Sequence, residues 1–324
     1  MTKLVLAVFC FLTFFSNNVS SVCVDKNALN VVNATVHQST SQRGFNVFDT
    51  NFYLLDTYVT IDILNANVTD LCEGMIKNFP SLKGLSLINV NLSKIQPNAF
   101  QKVPVLQTLS LAINNLTEIV KGSFDNLGSL EVLYLSGNRI SYIESGVFHN
   151  MKNLRDIYLD RNEIVEVSGN LFSACPKIKT VNFGFNLIKK IVKTSFQDLR
   201  PDNEDPVIIY LNSNQINEVD ASAFEMNNPV HLHLENNLIS TLTDLLHVVK
   251  EDSKVYLNKN QFSCIPDEVI EETTTNKEVY LLDNPLDCEC VDRIDQILEG
   301  EMYSTGNIVY NSTFPCQFLA ATSF

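Results

Sequence analysis

Apolar and polar residues alternate along this chain in blocks that return at a nearly fixed interval. Leu106, Leu109 and Leu111 are followed by Asn114, Leu116 and Ile119, and the same spacing reappears 24 residues later as Leu130, Leu133, Leu135, Asn138, Ile140 and Ile143. The Asn position continues at Asn162, Asn186, Asn214, Asn237, Asn260 and Asn284. Backwards, Leu85, Leu87 and Val90, then Ile61, Ile63 and Ala66, keep the frame, so ten units fit with steps of 24, 24, 24, 24, 24, 28, 23, 23 and 24 residues. Phe100, Phe124, Phe148, Phe172, Phe196 and Phe224 mark a second position in six successive coils, ten residues after the Asn position. Two registers that keep step over this length define a repeat. Each unit offers a short strand with alternate residues turned inward, a turn at the Asn, and a returning segment anchored by Phe. None of these could bury its apolar face alone, so the units must stack. The Asn amide, with two donors and an acceptor, is expected to pair backbone groups of neighbouring turns.

This pattern resembles the leucine-rich repeat family over residues 58–286. The resemblance implies an α/β leucine-rich repeat solenoid: a curved horseshoe with a concave parallel sheet of about ten strands, an irregular or short-helical convex side, and disulfide-bonded caps. The expected division is a signal peptide at 1–21, an N-terminal cap at 22–57, the repeats at 58–286 and a C-terminal cysteine cap and tail at 287–324. A length of 324 residues would by itself suggest two domains. Stacking of coil on neighbouring coil favours one solenoid instead. The single long step inserts four residues within Arg200–Pro206, a polar surface loop or, alternatively, an acidic docking loop.

Composition adds exclusions. With 23 basic against 37 acidic residues and a net charge of −14, neither nucleic acid nor an anionic membrane is expected as partner, because both are drawn by basic patches. Asparagine reaches 37, and the repeat position accounts for much of that excess. Lys3 precedes the apolar run Leu4–Phe15, and Val19-Ser20-Ser21 supplies a small-residue cleavage site before Val22, so a secreted, extracellular product without a membrane anchor is expected. No nucleophile–base pair, phosphate-binding glycine loop or metalloprotease signature occurs, so neither catalysis nor a cofactor is expected.

Loss of Cys10 with the signal segment leaves seven of the eight cysteines. Cys175 occupies the inward position held by Leu127 and Met151 in neighbouring coils and reads as a buried free thiol. Cys264 and Cys288 each lie four residues after their repeat Asn. Equivalent positions of adjacent coils stack at about 4.8 Å, within bridging range, so Cys264 is expected to pair with Cys288, Cys290 with Cys316, and Cys23 with Cys72. The run Asn284-Pro285-Leu286-Asp287-Cys288-Glu289-Cys290 is similar to the start of the C-terminal cysteine cap of extracellular leucine-rich repeat proteins.

The residues between the inward leucines should line the sheet face. Their central column reads Asp62, Ser86, Ser110, Tyr134, Tyr158, Asn182, Tyr210, His233, Tyr256 and Tyr280. Tyrosine combines large contact area with low entropic cost, so Tyr134, Tyr158, Tyr210, Tyr256 and Tyr280 are candidate ligand contacts, although β-propensity alone also favours tyrosine there. Asp156, Asp160, His231, Lys254, Asn258 and Glu278 flank them. His231, His233 and Glu235 share one strand face, as ligand contacts, a pH-sensitive group, a metal chelate or ordinary exposed polar residues. Sequons begin at Asn33, Asn67, Asn91, Asn115 and Asn311, three of them at one position of successive coils, so glycans would crowd the N-terminal third and leave repeats four to ten for docking. Resemblance to secreted insect-type leucine-rich immune proteins and receptor ectodomains implies recognition of an extracellular protein or a microbial or glycan ligand, in innate defence or signalling. A matrix or adhesion protein, or a decoy or inhibitor of a receptor or enzyme, is the alternative.

Overall fold

A computed structural model of the chain describes residues 33–38, 41–45, 59–64, 67–77, 79–241, 244–267, 270, 277–300 and 308–311. The chain forms two compact units, residues 1–163 with 171–177 and residues 164–170 with 178–324. Both are leucine-rich repeat solenoids. In the first, the strands Val59–Leu64, Leu82–Ser86, Thr108–Ser110, Val132–Tyr134 and Asp156–Tyr158 pair in parallel and in that order. The antiparallel strands Asn33–Gln38 and Ser41–Phe45 extend its edge. In the second, Thr180–Asn182, Val207–Tyr210, Val230–His233, Lys254–Tyr256, Glu278–Tyr280 and Ile308–Val309 form a parallel series. The ten strands that the repeat frame calls for are all present, in the expected register. Leu85 faces Leu109 and Leu109 faces Leu133; Val181 faces Ile209 and Ile209 faces Leu232. The strand at Ile308–Val309 continues the sheet beyond the last Asn-bearing coil, where no leucine pattern announces it.

The inward residues form the core. Leu109, Leu111, Leu133 and Leu135 are fully buried in the first unit, as are Ile209, Leu211, Leu232 and Leu234 in the second. Opposite the sheet, the Phe position stacks ring on ring, Phe124 to Phe148 to Phe172 at 5.9 and 5.8 Å, and Phe196 to Phe224 at 5.6 Å. Cys175 is a buried thiol outside any disulfide, and its S–H points to the Phe148 carbonyl at 3.0 Å.

The repeat Asn works as the pattern demands. Asn162 Oδ1 accepts from the Ile140 N–H at 3.0 Å, and its Nδ2 donates to the Leu135 and Leu159 carbonyls, each at 3.0 Å. Asn237 repeats the arrangement with the Ile216 N–H and the Leu211 and Leu234 carbonyls. The residue before the repeat Asn is left-handed in coil after coil: φ is 56° at Ile113, 68° at Gly137, 56° at Arg161, 57° at Phe185 and 57° at Lys259, among others. That conformation costs an L-residue roughly 1–2 kcal/mol, yet only one of these five positions is glycine. The turn is imposed by the amide bonds on either side of it.

The C-terminal cap departs from the expected pairing. Cys264 is bonded to Cys290, with Cα atoms 5.4 Å apart, and neither to Cys288 nor, from the Cys290 side, to Cys316. Equivalence of Cys264 and Cys288 assumes that the chain follows another coil after Asn284. Instead Asp287 caps a helix, Cys288–Gly300, accepting from the Cys290 N–H at 2.8 Å. Two residues along a helix turn about 200°, so Cys290 faces the core, 1% exposed, while Cys288 lies partly exposed. Cys72 and Cys288 are each held in a disulfide as well. Cys23 and Cys316 lie outside the described residues.

Two outcomes follow from this architecture. Asn162→Ala removes three buried hydrogen bonds and should lower the unfolding free energy by about 3 kcal/mol in urea denaturation; a loss below about 1 kcal/mol contradicts the role of the ladder. Peptide mapping without reduction should recover Cys264 joined to Cys290, and recovery of Cys264 joined to Cys288 refutes the cap geometry.

Candidate ligand-binding face

On the face away from the core, short strands hold one side chain per coil directly above the next. Tyr134 pairs in register with Tyr158, and their rings stack at 4.9 Å with planes 9° apart. In the second unit Tyr210, His233, Tyr256 and Tyr280 make a continuous stack, with centroids 4.4, 4.3 and 4.6 Å apart and planes within 20° of parallel. Strand spacing of about 4.8 Å sets this distance. The imidazole of His233 is the member that a search for tyrosine alone overlooks. It closes the gap between Tyr210 and Tyr256 and turns separate rings into one rigid stack. Val309 stands beside Tyr280 as a further row that the repeat frame does not include.

Polar groups brace both stacks. Asp156 is only 9% exposed, and its carboxylate accepts from Arg155 Nε at 2.8 Å, so it serves the rim more as a buried clamp than as an open contact. Asp160 accepts from the Ser136 hydroxyl at 2.6 Å. His233 Nδ1 lies 3.0 Å from Glu235 Oε1. Lys254 forms an ion pair with Glu278 at 2.9 Å, and the Tyr280 hydroxyl donates to the other Glu278 oxygen at 2.6 Å. The neighbouring Lys254 ammonium, then the Tyr280 hydroxyl, hold Glu278 below the usual carboxylate range against the effect of burial. Burial, then the charges of Lys254 and His233, hold His231 below the ordinary imidazole range, with Glu278 opposing. Its neutral form is the one the fold favours. Among the described residues, no group of three His, Cys, Asp or Glu side chains is arranged to hold a metal ion, and His233 is instead engaged by two ring faces and Glu235.

Three of the sequons, at Asn67, Asn91 and Asn115, occupy equivalent positions of successive coils in the first unit. Asn67 and Asn91 are exposed and their amides touch, Asn91 Nδ2 donating to Asn67 Oδ1 at 3.2 Å, while Asn115 is half-buried in the next coil. Asn33 begins the strand Asn33–Gln38. Asn311 is exposed and its Oδ1 accepts from the Asp283 N–H at 2.7 Å. The four-residue insertion is fastened from beneath by Asn228, which donates to the Asn203 and Asp205 carbonyls. No helix among the described residues is long and apolar enough to cross a membrane.

Comparison with known proteins agrees with this geometry. The leucine-rich repeat family model matches residues 59–116 and 104–164. The leucine-rich repeat domain of APL1B superposes with a TM-score of 0.55 at 20% identity, over 70% of this chain and 65% of that one. The Drosophila Toll–Spatzle complex, described as a molecular hub in development and innate immunity, gives 0.57 at 20% identity in its glycosylated form, over 77% of this chain and 38% of that one. A second structure of that complex gives 0.52 at 21% identity, over 70% and 35%. The chain thus spans just under two thirds of the APL1B chain and under two fifths of the Toll complex chains. No curated protein sequence matches it. At these identities the likeness is one of fold: the chain has the leucine-rich repeat solenoid fold, and its residues 59–164 match the leucine-rich repeat family model.

The depressed groups set the direction of the pH response. Both His231 and Glu278 contribute stability that is complete above their unfolded values and lost as pH falls through the folded ones. The His231 part is therefore lost first, below about pH 6.5, and the Glu278 part below about pH 4.3. His231→Gln should narrow the difference in urea midpoint between pH 7.5 and pH 5.5, and an unchanged difference rejects this assignment.

Proposed function

We propose that this chain is a secreted glycoprotein that recognises an extracellular protein through the exposed face of its repeat sheet, in signalling or innate defence. The observation that carries the reading is the four-ring stack of Tyr210, His233, Tyr256 and Tyr280. These rings lie on the opposite side of the sheet from the leucine core, so the core does not account for them. They are held in place before any partner arrives, which reduces the entropy lost on binding. With ring faces covered by one another, they offer their edges and hydroxyls to the partner, flanked by the Lys254–Glu278 and His233–Glu235 pairs. Alternating charge of this kind favours a protein surface over a polyanion. The Toll–Spatzle complex supports the reading as an assembly in which a chain of similar fold meets a protein. The apolar leader at 1–21 supports secretion, and the exposed Asn67 and Asn91 support glycosylation.

The triple variant Tyr210→Ala, Tyr256→Ala, Tyr280→Ala tests the proposal beside the wild type. Partners captured from extracellular fluid are identified by mass spectrometry and their affinities then measured with purified material. Affinity should fall about 100-fold or more. Equal affinity for a correctly folded variant rejects the face as the binding surface.

A further inference from the structure

The stack of Tyr134 on Tyr158 ends abruptly. Tyr158 covers one face of the Tyr134 ring at 4.9 Å. On the other side, the residue in register is Ser110, too short to cover an aromatic ring, and beyond it in the same column stand Ser86 and then Asp62. Thr108 and Ala112 lie beside Ser110, and Gly84 beside Ser86. Ser86, Thr108, Ser110 and Ala112 are all partly exposed, and Tyr134 is the most exposed ring of either stack, at 36%. The first unit therefore carries a shelf. Its floor is two strands of small, hydroxyl-bearing residues, about 10 Å across from the Tyr134 row to the Ser86 row. Its wall is the open π-face of Tyr134.

We infer that this shelf is a saccharide-binding subsite, in which the C–H face of a pyranose ring packs on Tyr134 while its hydroxyls meet Ser110, Thr108 and Ser86. The inference goes beyond the proposed function and needs no protein partner. Three features select a sugar. The open face of Tyr134 is flat and apolar, matching the face of a pyranose whose ring hydrogens point to one side. The floor residues nearest the wall, Ser110, Thr108 and Ser86, are polar and uncharged, so a ligand lying on them must supply hydrogen-bonding groups or leave their hydroxyls desolvated without partners. An aromatic side chain from a protein would stack on the ring but could not satisfy that floor. A cationic side chain would stack as well, yet Asp156 and Asp160 already face Arg155 and Arg161 at 2.8 and 3.9 Å, Glu131 also interacts with Arg155, and Asp62 lies three strands from the ring, about 14 Å away. Charge does not draw a cation to this wall.

The test is a titration of the full protein with methyl glycosides of glucose, mannose, galactose and N-acetylglucosamine and with β-linked disaccharides, followed by NMR of labelled tyrosine and by calorimetry. At least one sugar should bind saturably and shift the Tyr134 ring resonances. Tyr134→Ala should weaken that binding about ten-fold, Tyr134→Phe should retain it, and Ser110→Phe, which fills the shelf, should abolish it. Absence of saturable binding by every sugar, or binding indifferent to Tyr134→Ala and Ser110→Phe, overturns the inference. Displacement of the ring resonances by arginine methyl ester but by no sugar assigns the shelf to basic peptides and overturns it equally. Protein capture by Tyr210, Tyr256 and Tyr280 is read separately, so failure of either proposal leaves the other standing.

Discussion

From the third coil onward, the stacking of these coils depends on one inward-turned amide per turn. A chain that reverses direction every dozen residues leaves backbone groups facing inward at each bend, where no neighbouring strand can pair them. The repeat Asn is short enough to sit inside the bend and carries both donors and an acceptor. At Asn284 one Oδ1 accepts from Asn260 and Phe262 N–H groups, and Nδ2 serves the Leu257 and Leu281 carbonyls, with the side chain fully buried. Each amide therefore joins its own coil to the preceding one. Leucine and phenylalanine supply the burial, but the amides define the spacing at which burial happens.

That constraint explains features that look unfavourable in isolation. Ile113 is β-branched, 60% exposed and left-handed at φ 56°, a conformation that its side chain opposes. It is tolerated because Asn114, next in the chain, is fixed by bonds to the Val90 and Leu92 N–H groups and the Leu87 and Leu111 carbonyls. Local preference loses to a turn determined from both sides. The same rigidity acts on the sheet face. Since each strand is clamped at its end, side chains of successive coils stand in fixed register, and rings stack at the strand spacing, with Glu235 and Glu278 holding His233 and Tyr280 from the side.

The fold was legible because its signal repeats. Ten strands, the Asn turns and the inward Phe could each be placed from spacing, and the central column of the binding face followed from alternation along the strands. What escaped was non-periodic. The cap pairing failed because Asp287 starts a helix where the frame continued a coil, and nothing in the spacing of Cys264 and Cys288 reveals that change of path. Asp156 shares a column with partly exposed residues such as Val132 and Lys254, but its carboxylate is bound by Arg155, which the column does not contain. His233 was visible as a titratable group, whereas its part in an aromatic stack appears only when Tyr210 and Tyr256 are seen on either side.

The sequence by itself determined the repeat, its length and the direction in which each side chain points, because these follow from a period and from hydrogen-bonding capacity. Tertiary structure decided which neighbours those side chains meet: the bond between Cys264 and Cys290, the continuity of the four rings, and the open face of Tyr134 above Ser110. Such properties arise from distances between coils some 24 residues apart. A period states that two residues are equivalent, and only packing states whether they touch, cover one another or leave a surface free.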